Sequence, residues 1–381
     1  MLSGLWLLAT GSAEAQQLSG LLVEDPPRRP LPDAVVQLLA DRDSVAASVT
    51  GSAAGRFVLR GLMAGRYRVR VLRIGHSPWV SGFLTLAVGE ARDTTLAIPL
   101  QPVTLQDIVV TARTSCRASP AEDGRMMLVW DQARTALVLA EAASSELLEF
   151  RGSTARRLIN AAGYLSDEQR WSLFTRGEWP VRSQSPDSLA RFGFVQPRDT
   201  ATGPVYFGPD VPVFFSNAFI ESHCFRLVPA PKGRGELVGL AFEPAKGGDL
   251  PDIEGVLWLD RATATLHRLI FRYTGLWSWV PERSTGGEIQ FGQLADGRPV
   301  VTGWLLRAPI AKREMGPASR DRRPEDGSER FFGKARVGLF GYEEEQARVD
   351  QVRRRGADTL WSRAEGDSSA ARPAPFTRDL W

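Results

Sequence analysis

From Leu18 to Leu100 the chain alternates apolar and polar positions in short runs punctuated by Gly, Pro and Asp, which predicts strands joined by tight turns. Asp25-Pro26-Pro27 and Pro30-Leu31-Pro32-Asp33 interrupt the chain after a first strand, and Val35, Val36, Leu38 and Leu39 resume a buried one. Gly51 and Gly55 flank a loop before Arg56–Arg60, where Phe57 and Leu59 point one way and Arg56, Val58 and Arg60 the other. After Gly65, Tyr67, Val69 and Val71 share an inner face and alternate with Arg66, Arg68 and Arg70, as on a half-buried sheet.

The period changes over residues 123 to 150. Met127, Trp130, Ala133 or Arg134, Leu137 and Ala140 or Glu141 recur at three and four, with Asp123 available as an N-cap, so a helix is expected whose Ala-rich stripe docks on a sheet. Strands return from Leu147, with Glu146 to Arg157 reading as a first strand or two. Six more form a meander: Cys224–Val228, Glu236–Glu243, Ile253–Leu259, Thr265–Tyr273, Gly287–Phe291 and Val300–Leu306. Asp260-Arg-Ala-Thr263 and Ala295-Asp-Gly-Arg298 supply turns between them. Gly163 to Pro212 reads as irregular, 312 to 336 as a solvated loop of mixed charge, and Val337 to Arg355 as a strand pair in which Tyr342-Glu-Glu-Glu-Gln is equally able to open a helix.

Pro30-Leu-Pro-Asp-Ala-Val35, Gly55-Arg-Phe-Val-Leu-Arg-Gly-Leu62 and Ala64-Gly-Arg-Tyr-Arg-Val-Arg-Val71 resemble the carboxypeptidase regulatory-like domain. The resemblance implies a small seven-stranded antiparallel sandwich similar to transthyretin and to carbohydrate-binding-like folds, with no catalysis of its own. Val103 to Arg113 resembles the junction at which TonB-dependent outer-membrane receptors pass from such a domain to their plug. Too few residues follow for a plug and a large membrane barrel, whose strands each need about ten residues. The stretch Leu257 to Leu269 resembles the curved sheets of periplasmic lipoprotein-carrier-like proteins. The expected fold is therefore mainly β, organised as 17–100 sandwich, 101–122 linker, 123–360 helix plus antiparallel β-meander unit, and 361–381 disordered tail.

Length and composition refine this. A chain of 381 residues favours two folded units over one. Its net charge of +3 comes from 47 basic residues of which only four are Lys, and the Arg are scattered, which argues against nucleic acid as a partner. Residues 1–15 hold an apolar stretch of about ten residues that closes on Ala13-x-Ala15, the h-region and cleavage site of a secretory signal without its charged n-region; the other reading is a plain apolar tail. Export is expected, to the periplasm or outer membrane, with a mature start near Gln16, and no later run is long enough for a membrane helix. Cys116 and Cys224 fit one disulfide in an oxidising compartment. His76, His223 and His267 lie in separate segments, so neither a metal site nor a cofactor is expected.

No nucleophile elbow, zinc-protease helix or phosphate loop occurs. Glu221 and His223 lie beside Cys224, but a cysteine followed by Phe-Arg-Leu-Val reads as structural rather than nucleophilic. Trp171, Phe174, Trp179, Tyr206 and Phe207 fall in the loop-rich stretch and either line a glycan or lipid site or plug one end of a β core. The reading is a non-catalytic exported protein of the cell envelope that binds a protein, glycan or lipid. Its alternative is an envelope hydrolase or peptidase accessory, which a Ser/His pair or carboxylate cluster lining a pocket would favour.

Overall fold

A computed structural model describes residues 16–364 apart from 33, 42–43, 104, 106–123, 146–147, 177–182, 197–203, 215, 246–249, 282, 296, 316–318, 321–330, 333–334 and 355–358. The chain divides into two compact units, Met1–Val103 and Thr104–Trp381. The expected signal segment, Asp123, Cys116, Trp179 and most of the 361–381 tail lie outside the described residues.

The first unit has seven strands: β1 (Gln16–Glu24), β2 (Val35–Leu39), β3 (Val45–Thr50), β4 (Arg56–Leu62), β5 (Gly65–Leu72), β6 (Trp79–Leu86) and β7 (Ala91–Ile98). One sheet runs β4-β1-β7 and the other β3-β2-β5-β6. Leu18, Leu22, Val36, Leu38, Phe57, Leu59, Tyr67, Val69 and Val71 meet in one core, as the alternation requires. The sandwich departs from the antiparallel expectation at one place: β1 and β7 pair parallel over eight residues. Turn patterns report only local reversals, whereas this pairing joins the two ends of the unit, and a parallel neighbour needs a long crossover rather than a hairpin. The arginines of β5 are held in place. Arg70 donates to buried Gln37 directly across the ladder, at 2.9 and 2.6 Å, and Arg66 and Arg68 lie 3.7 and 5.3 Å from the ring centre of Phe83.

The second unit is built on one antiparallel sheet. Its strands are β8 (Leu148–Asn160), β9 (Leu165–Arg176), β12 (His223–Pro229), β13 (Leu237–Pro244), β14 (Asp252–Asp260), β15 (Leu266–Thr274), β16 (Gly286–Gln293), β17 (Pro299–Met315), β20 (Ala335–Arg354) and β21 (Thr359–Ser362). Two small hairpins, β10 (Val195–Gln196) with β11 (Val205–Tyr206) and β18 (Ser319–Arg320) with β19 (Phe331–Phe332), stand apart from it. The sheet order is β12-β13-β14-β15-β16-β17-β20-β8-β9, with β21 on β20. The six predicted meander strands are β12 to β17, each beside its neighbour in sequence. Asp260 Oδ1 closes one predicted turn by accepting from Ala262 N, Thr263 N and Thr263 Oγ1 at 2.8–2.9 Å, and Gly297, at φ 86°, turns the other.

Helix α1 (Gly124–Ser145) touches β8, β13, β15 and β17. Val129, Trp130, Ala133, Ala136, Leu137 and Ala140 are buried, and so are Gln132 and Thr135, so α1 is covered over more than the single stripe expected of it. Beneath it one row of directly opposed residues reads Phe225, Phe242, Gly255, Phe271, Gly287 and Leu306. The rings of Phe242 and Phe271 lie over the neighbouring glycines: a Cβ at Gly255 or Gly287 would sit 2.5 Å from their Cζ atoms.

The opposite face carries an apolar cluster of Val228, Leu237, Ala241, Val256, Trp258 and Ile270 and, beside it, a row of charge. Glu168, Arg157, Glu344 and Arg307 stand directly across from one another on β9, β8, β20 and β17, and the row continues through Gly286 to Arg272 and Glu254. Arg157 Nε lies 2.7 Å from Glu168 Oε1, Arg307 Nε lies 2.7 Å from Glu344 Oε1, and Arg272 pairs with Glu254. Hydrogen bonding to Arg157 first, and to Arg170 second, holds the Glu168 carboxyl below the usual carboxylate range.

Three segments differ from the sequence reading. Residues 165–176 of the expected irregular stretch form β9, Val337 to Arg355 lies almost wholly in the single long strand β20, and Trp361 and Ser362 of the expected tail belong to β21. Arg363, just beyond, donates to the carbonyls of Thr302 and Val349 at 2.9 and 3.1 Å. β9 escapes a periodicity search because it is exposed along most of its length, so neither face imposes an apolar alternation.

Candidate functional site

A cavity of about 690 Å³ opens in the second unit between α2 (Pro186–Phe192), α4 (Asn217–Ser222), β12 and β14. Its apolar lining comes from Leu189, Phe194, Val213, Ala218, Phe219 and Leu250, and its polar groups are Ser216, Ser222, His223, Glu243, Asp252 and Glu254. Local rules place each wall. Ser185 caps α2, which has Pro186 at its first position. Gly193 ends that helix at φ 77°, where a Cβ would lie 2.6 Å from the Pro251 carbonyl oxygen, so only glycine lets α2 rest against the segment leading into β14. Val213 lies in α3 (Val211–Phe214) and packs toward the same floor. Asp210 accepts from Val213 N at 3.0 Å, and burial pushes its carboxyl above the usual range.

His223 is the centre of the polar wall. It is 2% exposed and its ring stacks on Phe219 with centroids 3.8 Å apart. Nδ1 lies 3.0 Å from both Ser222 Oγ and the Phe219 carbonyl oxygen, while Nε2 lies 3.2 Å from the Ile253 carbonyl oxygen and 3.3 Å from Asp252 Oδ1. Nε2 faces two acceptors and therefore carries a hydrogen. The neutral ring then accepts from the Ser222 hydroxyl at Nδ1; the imidazolium donates at Nδ1 instead. The ring ties the last turn of α4 to the start of β14, and Ser222 and Asp252 remain on the cavity wall. A smaller cavity of about 270 Å³ shares Glu254, Thr274 and Gly275 with the first and adds Arg272, Arg283 and Thr285. Glu254 thus lines both cavities, while its partner Arg272 lines only the smaller one.

The four described aromatics among the residues picked out by sequence do not form one surface. Trp171 opposes Thr154 and Phe174 opposes Arg151, so the two aromatics point to opposite faces of β9; both are about half exposed, at 50% and 52%. The Phe174 ring is approached by Arg151 and Arg176 at 5.7 and 5.2 Å. Tyr206 and Phe207 are buried: Tyr206 packs edge-on against Tyr273, whose hydroxyl donates to the Phe207 carbonyl at 2.9 Å. Burial pushes the Tyr206 phenol well above its usual pKa. Trp179 lies outside the described residues. Cys224 is buried, and successive strand residues face opposite ways, so it and His223 do not share a face; its pairing with Cys116 lies outside the described residues. Asp252 escaped sequence reading because its partner is nearly 30 residues away on another strand. The adjacent Ser222-His223 pair was the only local signal.

Among the described residues no group of three His, Cys, Asp or Glu is placed to hold a metal, and no helix is long and apolar enough to cross a membrane.

Residues 17–101 match the carboxypeptidase regulatory-like domain family, so the first unit carries that domain, and the described residues of the chain are mainly β. No curated protein matches the chain. Among solved structures it is similar to the Bacillus anthracis TIE protein, 11% identical over 70% of this chain and 46% of that one, with a TM-score of 0.20. It is also similar to DUF3823 family proteins from Parabacteroides merdae ATCC 43184, 14% identical over 69% and 97% of the two chains with a TM-score of 0.19, and from Bacteroides ovatus ATCC 8483, 11% identical over 65% and 96% with a TM-score of 0.17. The chain spans less than half the length of the TIE protein.

Proposed function

We propose that this chain is an exported, non-catalytic binding protein of the cell envelope, whose second unit holds a glycan, lipid or protein partner in the cavity between α2, α4 and β14. The observation that carries this reading is the cavity itself: an apolar floor with a few converging polar groups, large enough for a small ligand or a partner's side chains. The regulatory-like domain supports it, since resemblance to that family implies an accessory module without catalysis of its own. Export rests on residues 1–15 and on the two cysteines. Thermal shift of the full chain against soluble oligosaccharides, phospholipid vesicles and a peptide pool tests the reading. One class should raise the midpoint in the wild type and leave it unmoved in Ala218→Trp, which fills the floor.

Hydrolysis is the second reading, because Ser222 is hydrogen-bonded to His223 at 3.0 Å and Asp252 Oδ1 lies 3.3 Å from the other ring nitrogen, on the cavity wall. Two features weigh against it. Ser222 is the last residue of α4, a terminus that presents carbonyl oxygens rather than the N–H donors an oxyanion needs. The Phe219 carbonyl also competes for the Ser222 hydroxyl, at 3.2 Å. A fluorophosphonate probe that labels the wild type and not Ser222→Ala would favour the hydrolase.

A further inference from the structure

Strand β9 occupies the end of the sheet, and among the described residues no strand pairs with its outer edge. A free edge of twelve residues is a template for another strand unless something blunts it, and here it carries half-exposed Trp171 and Phe174. We propose that β9 pairs antiparallel with β9 of a second copy of this chain, about a two-fold axis that passes beside Ser172.

The register follows from the sequence of the strand. A two-fold axis perpendicular to a sheet keeps every side chain on its own face, so outward residues meet outward ones and each register is defined by the residue that faces itself. With Ser172 on the axis, Glu168 meets Arg176, Arg170 meets Phe174, Trp171 meets Leu173 and Gln169 meets Thr175. Charge meets opposite charge, guanidinium meets ring, and apolar meets apolar, the pairings that stabilise adjacent strands. Neighbouring registers lose this. An axis at Arg170 sets that residue against itself, one at Leu173 sets Arg170 against Arg176, and one at Trp171 sets Glu168 against Phe174 and Gln169 against Leu173. The groups involved keep capacity for a further partner. Arg176 is largely exposed and holds Glu149 at 3.3 Å through Nε, leaving other N–H groups of its fork, and the Glu168 carboxylate, though it already binds Arg157 and Arg170, has a second oxygen. The resulting sheet is continuous across both copies, and the surface is separate from the cavity.

Sedimentation equilibrium of the full chain and cysteine cross-linking test this together. The expected mass at high concentration is twice the chain's 41.9 kDa, and Ser172→Cys is expected to give a disulfide-linked dimer under mild oxidation. Arg170→Cys and Phe174→Cys each place the two thiols four residues apart along the strands, roughly 13 Å from the strand rise. Neither should cross-link alone, while an equal mixture of the two should. Leu173→Asp, with an unchanged circular dichroism spectrum, should sediment as one chain. A single-chain mass for the wild type at every concentration overturns the proposal, and so does a dimer of the Ser172→Cys variant that forms no intermolecular disulfide.

Discussion

Glu344 carries the sharpest stability prediction. It is 1% exposed on β20, directly between Arg307 on β17 and Arg157 on β8. Glu344→Ala removes the carboxylate and leaves two guanidinium groups, 18% and 13% exposed, facing a gap. Breaking a buried ion pair from one side costs about 3–5 kcal/mol. Arg157 retains Glu168 at 2.7 Å and Gln346 at 2.9 Å, and Arg307 retains the face of Tyr342 at 5.6 Å. The expectation is therefore the lower end, about 3 kcal/mol. Glu344→Gln keeps the shape and one acceptor and should cost about 1.5 kcal/mol, the low end for a hydrogen bond to a charged group. The double change Glu344→Met with Arg307→Met should recover much of the loss, because the one guanidinium left beside the site, Arg157, still holds Glu168 and Gln346. Urea unfolding followed by tryptophan fluorescence reads this transition, since of the 11 tryptophans only Trp6 and Trp79 lie in the first unit. A loss below about 1 kcal/mol for Glu344→Ala would put Glu344 with ordinary surface ion pairs and refute the reasoning.

Residues 16–103 expressed alone should melt cooperatively, because their core is self-contained; a broad, non-cooperative trace would contradict the boundary. Burial first, then Arg234 and Arg268, push the His267 imidazole below its usual pKa, and Arg234 Nη2 donates to its Nε2 at 2.8 Å. A group whose folded pKa is lowered binds fewer protons folded than unfolded, so the second unit should lose stability as pH falls through about 6.5 and below. His267→Gln should flatten that slope in pH-dependent urea melts. Cys116 and Cys224 should appear as one bridged pair in non-reducing mass spectrometry, and reduction should cost roughly 4–5 kcal/mol by loop entropy; two alkylatable thiols would remove both the bond and part of the case for export.

Much of the fold is legible in the sequence wherever one side of a strand is buried. Phe57 and Leu59 announce β4, and Tyr67, Val69 and Val71 announce β5, because each must face the core. β12 to β17 are legible as apolar runs between turns that carry their own signals, although β13 and much of β14 are buried on both faces. Long-range pairing is not legible: nothing local in Glu146 to Arg157 tells that β8 lies beside β20 rather than beside the meander that follows it. β9 is silent because solvent reaches both faces. The aromatics between Trp171 and Phe207 look alike in sequence, yet Tyr206 and Phe207 are core while Trp171 and Phe174 are surface. The cavity arises from α2, α4 and β14 meeting at Gly193, Phe219 and Asp252, a convergence that only the assembled sheet brings about.

The proposed function turns on the cavity between α2, α4 and β14 as the place where a partner is held. The direct measurement is a titration of the full chain with whichever probe class raises its melting midpoint, repeated on Ala218→Trp and on Trp171→Ala. Saturable binding that survives Trp171→Ala and is lost in Ala218→Trp, with both variants folded, is the predicted result; binding that persists with the cavity filled would contradict it.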